Sequence, residues 1–349
     1  MGIVKLTAFI DQDDPLYKFC TRLSGEPSQD SLERMIFLIK LDEIGECREA
    51  NDFLRREMSS YTSGKATVFQ NLIAGLIVIS DSEFYTKNYA KKFIFLANQM
   101  GCEFVGHGVV ERISGHQNFN TWAKAMHMPL ESLEEMQIQK LFQRIQTFDY
   151  LNKAVLKGLV LHAGHKGISN TYTFWEDIKN QLKDKRFEFQ ELHVEEGKIV
   201  DCHGCGFDTC LYYSKQDSCF YGGFVVDDLY PAIEAADFIV WICPNYNDAI
   251  SAKLMAVINR LTALYRKMPF HDKYIFSVVV SGNSGSDVVA EQLIDALNIN
   301  KGFRVPPRFV ATAIANDPGE IRNSYEYDKR ITNYVNDMFE FANKNIIKY

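Results

Sequence analysis

From residue 154 onward the chain alternates short, continuously apolar runs with amphipathic stretches, and nothing else in it constrains the fold so tightly. The runs GLVLHAG (158–164), RFEFQELHV (186–194), DFIVWIC (237–243), YIFSVVVSG (274–282) and RFVATAI (308–314) read as strands. Helices are expected between them at about 170–183, 229–235, 249–265 and 287–297, with a closing helix at 327–346. Strands without a polar face must be covered on both sides, which is the condition of a parallel sheet wound with helices front and back. The expectation is a doubly wound parallel α/β domain over 154–349.

The first half is a partial echo of the second. At an offset of 200 residues, LIVIS (76–80) falls on FSVVV (276–280), Asn98 on Asn298, Val105 on Val305 and Val110 on Val310. Self-similarity at a fixed offset points to repeated architecture, with a chance likeness of two unrelated βαβ units as the alternative. The first copy carries DSEFYTK (81–87) where the second has SGNSGSD (281–287), and bulky side chains there would keep a ligand from the backbone. Residues 1–150 are therefore expected to form a degenerate α/β domain that holds no cofactor, joined to the second near 146–153.

A length of 349 residues suits two such domains. The net charge of −7 and the lack of a basic cluster exclude the footprint of a nucleic-acid or anionic-membrane binder. No apolar run approaches the roughly 20 residues of a membrane span, and the N-terminus lacks a signal-like pattern. A cytoplasmic protein acting on small molecules, with a redox protein partner or a second copy of itself also compatible, is expected.

Three loops follow apolar strands, and ligands of open α/β sheets sit where such loops converge. HAGHKGISNTYTF (162–174) leads into a helix whose first N–H groups and hydroxyls, at Ser169, Asn170 and Thr171, suit a phosphate; an ordinary turn capped by Ser169 or Asn170 is the alternative. PNYND (244–248) supplies a turn at Pro244, polar edges at Asn245 and Asn247 and a flat face at Tyr246. In SGNSGSD, Ser281, Gly282, Asn283, Ser284 and Gly285 let backbone N–H groups approach a planar ring.

Cys202, Cys205, Cys210 and Cys219 read C-x2-C-x4-C-x8-C within an expected loop. Four such thiols suit an iron-sulfur cluster, zinc, or metal-free structural or redox-labile cysteines. Asp227 and Asp228 read as caps of the following helix, and Trp241 and Cys243 as core.

The order of these pieces resembles the NADPH-dependent FMN reductases and the related iron-sulfur flavoproteins. The matching residues are Asp227, Asp228, Ala235 to Asp237, Pro244, Tyr246, Ser251, Ala252, Arg260 and Ser281 to Gly285, and the likeness covers only the C-terminal half. It implies a flavodoxin-like fold in that half, preceded by a degenerate relative, and FMN as cofactor with NAD(P)H as transient co-substrate. The phosphate would be held at 165–171, the ring between Pro244–Asn247 and Ser281–Gly285. In the first loop the family opens with Gly-Ser and an Arg. This chain has Ala163-Gly164 followed by His165 and Lys166, so phosphate affinity would fall to those two. The implied activity passes hydride from NAD(P)H through FMN to a quinone, a flavin or another acceptor, without a catalytic side chain. One-electron transfer through a cluster to a protein partner, and a non-enzymatic scaffold, are the rival readings.

Overall fold

The computed structural model describes residues 2–25, 32–165, 167–194, 197 and 199–346. They fall into two compact units, Met1–Asp149 and Tyr150–Tyr349.

The first unit runs β1 (Lys5–Phe9), α1 (Pro15–Leu23), β2 (Glu33–Lys40), α2 (Arg48–Thr62), β3 (Leu72–Ile79), α3 (Thr86–Gln99), β4 (Glu103–Arg112), α4 (Asn120–Met126) and α5 (Leu130–Gln146). Its four strands are parallel in the order β1-β2-β3-β4. Every residue of β3 is buried, as its LIAGLIVI sequence requires of a strand covered on both faces. On one face Phe37 packs at a tilt against Phe53, Phe69 and Phe93. On the other, Gly75 lies so close to Leu141 and Ile145 of α5 that a methyl group would collide with them.

The second unit runs β5 (Leu156–His162), α6 (Asn170–Gln181), β6 (Phe187–His193), α7 (Phe207–Ser214), α8 (Tyr230–Ala235), β7 (Phe238–Pro244), α9 (Ala252–Lys267), β8 (Tyr274–Ser281), α10 (Ser286–Leu293), β9 (Val310–Ile314) and α11 (Tyr327–Asn345). The parallel order β6-β5-β7-β8-β9 is the doubly wound, flavodoxin-like arrangement. Alternate residues Phe238, Val240, Ile242, Phe276 and Val278 share one core with Trp175 of α6 and Tyr334 and Phe341 of α11. Their neighbours Ile239, Trp241, Cys243, Ile275 and Val279 are equally buried, so a second layer covers the opposite face. Burial pushes the Cys243 thiol up to about 12, the behaviour of an inert core residue.

Three expectations need correction. The cysteine segment is not only loop, because residues 207–214 form α7, which packs on α9 and donates from Ser214 Oγ to Ala263 O at 2.6 Å. Asp227 and Asp228 do not cap α8; they lie in a π turn, Val225–Leu229, and α8 starts without a side-chain cap. The internal echo is real but not gapless. At an offset of 200 the helices correspond: Tyr85 and Gly285 are both left-handed N-cap residues, and Asn98 and Asn298 are both fully buried and hold the following turn. In the strands the offset is 201, since Gly75 lies against α5 and Phe276 against Phe341 of α11, the closing helix of each unit, so that Ser80 matches Ser281. A single-residue slip reverses which face a strand residue occupies, so periodic apolar sequence could not reveal it.

Candidate functional site

The C-terminal ends of β5, β7, β8 and β9 surround a cavity of about 500 Å³, a size typical of small-molecule sites. Its wall comprises Ala163, Gly164, His165, Ile168 and the start of α6 from the first loop, and Pro244, Asn245, Tyr246 and Ser251–Lys253 from the second. Val280 and Gly282 enter from the third, and Ala315 and Asn316 from the fourth.

The first loop folds back on the carbonyl of His165, which accepts from the N–H groups of Ile168 (3.2 Å) and Ser169 (3.0 Å). Ser169 is the N-cap of α6, its Oγ accepting from Tyr172 N at 3.2 Å. The first N–H groups of a 12-residue helix therefore open at one end of the cavity, beside buried Thr171. Asn170 is fully engaged elsewhere: Nδ2 donates to Asp317 O at 2.8 Å and Oδ1 accepts from Gly319 N at 3.0 Å. It ties the first loop to the fourth.

In the second loop Asn247 and Asp248 both have positive φ, and Tyr246 bridges to Ala249 across them. Two adjacent left-handed residues make the tight turn that Asn and Asp tolerate best. Tyr246, 60% exposed, is thereby set at the cavity wall. Asn245 joins the second loop to the third through Nδ2, which lies 3.0 Å from Ser281 Oγ, 3.0 Å from Ser284 O and 3.1 Å from Asp248 Oδ1. Its main-chain N–H donates to Val280 O and is not available to a ligand. Two buried polar atoms of wall residues have no partner among the described residues: Asn245 Oδ1 and Ser251 Oγ. Gly285 has φ +86, and a methyl group there would run into Asp248 Oδ1.

Of the residues expected to hold a cofactor, the structure places His165, Ser169, Asn170, Thr171, Pro244, Asn245, Tyr246 and Gly282 on this wall. Ser281, Ser284, Gly285 and Asn247 build the second and third loops behind it, and Asn283 is exposed outside it. Lys166 lies outside the described residues. Sequence reasoning missed Lys253, Ala315 and Asn316 as wall residues, took Ile168 in only as part of 165–171, and used Ser251 and Ala252 only as points of resemblance. The position of IAND (314–317) just after the fifth strand was the available signal for the fourth loop.

The wall is braced from α6. Hydrogen bonds from Arg322 (2.9 Å) and Tyr327 (2.7 Å) hold the Asp177 carboxyl below its usual range despite partial burial. At the end of β5, the His162 ring stacks on His193 of β6 with centroids 4.4 Å apart and planes 6° from parallel.

Cys202 is exposed, and Cys205, Cys210 and Cys219 are half-buried; none is in a disulfide. Tyr212, Tyr213, Phe220 and Tyr221 pack edge to face beside them. Among the described residues, no three His, Cys, Asp or Glu side chains converge as a metal-binding group. No helix among those residues is long and apolar enough to cross a membrane.

Residues 156–317 match the family model described as NADPH-dependent FMN reductase. A protein of Archaeoglobus fulgidus described as an iron-sulfur flavoprotein is 26% identical over 142 residues, 40% of this chain and 60% of that protein. The match thus spans less than two thirds of the curated relative. Among solved structures, RosB with its bound intermediate 8-demethyl-8-formylriboflavin-5'-phosphate gives a TM-score of 0.43 at 16% identity, over 54% of this chain and 79% of that one. An azoreductase from Bacillus anthracis gives 0.39 at 15%, over 54% and 100%. An NAD(P)H:quinone oxidoreductase from Methanothermobacter marburgensis gives 0.39 at 14%, over 52% and 97%.

Proposed function

We propose that the cavity of the second unit binds FMN and that the protein is an NAD(P)H-dependent oxidoreductase delivering hydride or electrons to a small acceptor such as a quinone or free flavin. One observation carries this reading: the start of α6 and the loops bearing Asn245, Tyr246 and Ser251 line a single cavity at the strand ends. Asn245 Oδ1 and Ser251 Oγ have no partner among the described residues, and an unsatisfied buried polar atom costs about 1–3 kcal/mol, so a ligand that reaches them gains by supplying the missing bonds. The N–H groups at the start of α6 suit a phosphate, and the two orphans suit the N–H and carbonyl edge of a flavin ring. The match of residues 156–317 to the FMN reductase model supports the same group.

In this reading Ser169 keeps the helix start open, Asn170 fixes the first loop against the fourth, and Thr171 completes the phosphate end. Asn245 and Ser251 orient the polar edge of the ring, and Tyr246 offers a flat apolar face beside it. Bound FMN supplies the hydride chemistry, so the chain needs only to place the reactants and exclude water. No dedicated nicotinamide site is required if the donor and the acceptor take turns at the same mouth.

The test is an absorption spectrum of the protein purified without oxygen, taken before and after adding NADPH. Flavin bands that bleach on addition support the oxidoreductase. A colourless protein that leaves the fluorescence of added FMN unquenched removes it.

A further inference from the structure

The cysteine segment borders a second cavity, of about 370 Å³, lined by Cys202, Gly204, Asn259, Thr262, Asn300 and Lys301, among others. Lys301 is 92% buried by its 8% exposure, yet no carboxylate among the described residues pairs with it. Its Nζ donates to Thr262 Oγ1 at 3.0 Å and lies 5.9 Å from the centre of the Tyr265 ring. A buried ammonium without a counter-ion is costly, and burial together with the Arg266 guanidinium pushes its pKa down. The cavity therefore offers an anion a place beside an exposed thiol.

The loop carrying that thiol is anchored at both ends and open in the middle. Asp201 Oδ1 accepts from Asn259 Nδ2 at 3.0 Å, and the buried Arg260 donates to Val200 O at 3.4 Å and Gly222 O at 2.7 Å. Between these ties, residues 201–206 have no regular structure, and Gly204, φ +72, turns the chain between Cys202 and Cys205. Cys205 is half-buried, its Sγ donating toward Tyr221 Oη at 3.9 Å. Among the described residues the four cysteines do not converge as a metal set.

We propose that Cys202 and Cys205 form a dithiol that reduces small acidic disulfides bound beside Lys301. Cys202 Sγ, deprotonated to solvent, attacks one sulfur of the substrate; the S–S bond breaks and one half leaves, taking up a proton. Cys205 Sγ then loses its proton and attacks the Cys202 sulfur, releasing the second half as a thiol. Two electrons and two protons pass to the substrate, and the Cys202–Cys205 disulfide that remains is returned to the dithiol by exchange with a dithiol donor. The proposal does not depend on FMN binding in the other cavity.

The experiment uses the full chain, purified without oxygen and analysed for iron and zinc, with glutathione disulfide as the probe and dithiothreitol as the regenerating dithiol. Peptide mass spectrometry is expected to find a Cys202–Cys205 disulfide in the wild type and a glutathione adduct on Cys202 in Cys205→Ser. Lys301→Met is expected to slow the reaction with glutathione disulfide roughly tenfold while sparing the uncharged 2-hydroxyethyl disulfide, because only the acidic probe loses a charged partner. Circular dichroism of each variant separates misfolding from a lost contact. Stoichiometric iron or zinc that Cys202→Ser releases would overturn the proposal, as would an adduct scattered over Cys210 and Cys219 or equal slowing of both probes by Lys301→Met. The flavin spectrum of the same samples reports on the FMN reading separately.

Discussion

Ser251 and Gly285 show how single positions separate ligand binding from folding. Ser251 Oγ is buried without a partner among the described residues, so Ser251→Ala removes an unsatisfied group from the free protein but a hydrogen bond from the FMN complex. The variant is expected to keep or raise its melting temperature without FMN and to bind FMN about fivefold to tenfold more weakly by fluorescence titration. Unchanged affinity would remove Ser251 from the site. Gly285 sits at φ +86 against Asp248. Gly285→Ala therefore adds left-handed strain of about 1–2 kcal/mol and a steric clash. A lowered denaturation midpoint is expected, and an unchanged one would show that the loop pair yields freely. Gly285 was legible as a backbone-approach glycine, but its actual neighbour is a loop 37 residues earlier in the chain.

Elements are held to one another by a few long-range polar ties. Asn170, at the start of α6, bonds the turn after β9, nearly 150 residues away. Asn170→Ala should cost about 1–3 kcal/mol and weaken FMN binding through the displaced loop; thermal melts with and without FMN check both parts. Glu191 of β6 accepts from Lys179 of α6 at 2.6 Å and from Tyr172 at 3.0 Å. Burial opposes its ionisation, but the Lys179 and Tyr172 bonds outweigh it and hold the pKa below the usual glutamate range. A depressed carboxyl stabilises the fold above its unfolded pKa, and that contribution is lost as pH falls through the lower, folded value. Melting temperature should therefore drop on acidification below about pH 4.5 less steeply in Glu191→Gln than in the wild type; parallel curves would discount the tie.

The two units share an architecture and differ at their strand ends. In the first, Tyr85 occupies the left-handed N-cap that Gly285 fills in the second, and its ring lies against Gly45, leaving no room there for a side chain. In the second, the corresponding loops open onto the cavity. Residues 150–349 expressed alone are expected to quench FMN fluorescence as the full chain does, and residues 1–149 to leave it unchanged. Quenching by the first unit would contradict its reading as the degenerate copy.

The apolar runs and their spacing were enough to read the doubly wound second domain and to nominate its first three loops, because strands buried on both faces must be apolar throughout and ligands gather at their C-terminal ends. Local sequence likewise exposed the Ser169 cap and the echo of Asn98 in Asn298, since both depend on residues close in the chain. Only the tertiary structure revealed the one-residue slip between the copies, the commitment of Asn170 and Ser281 to neighbouring loops, the fourth wall at Asn316 and the uncompensated charge of Lys301. Each of these depends on which residues distant in the chain come within hydrogen-bonding or Coulombic reach, and a strand's periodicity is blind to that.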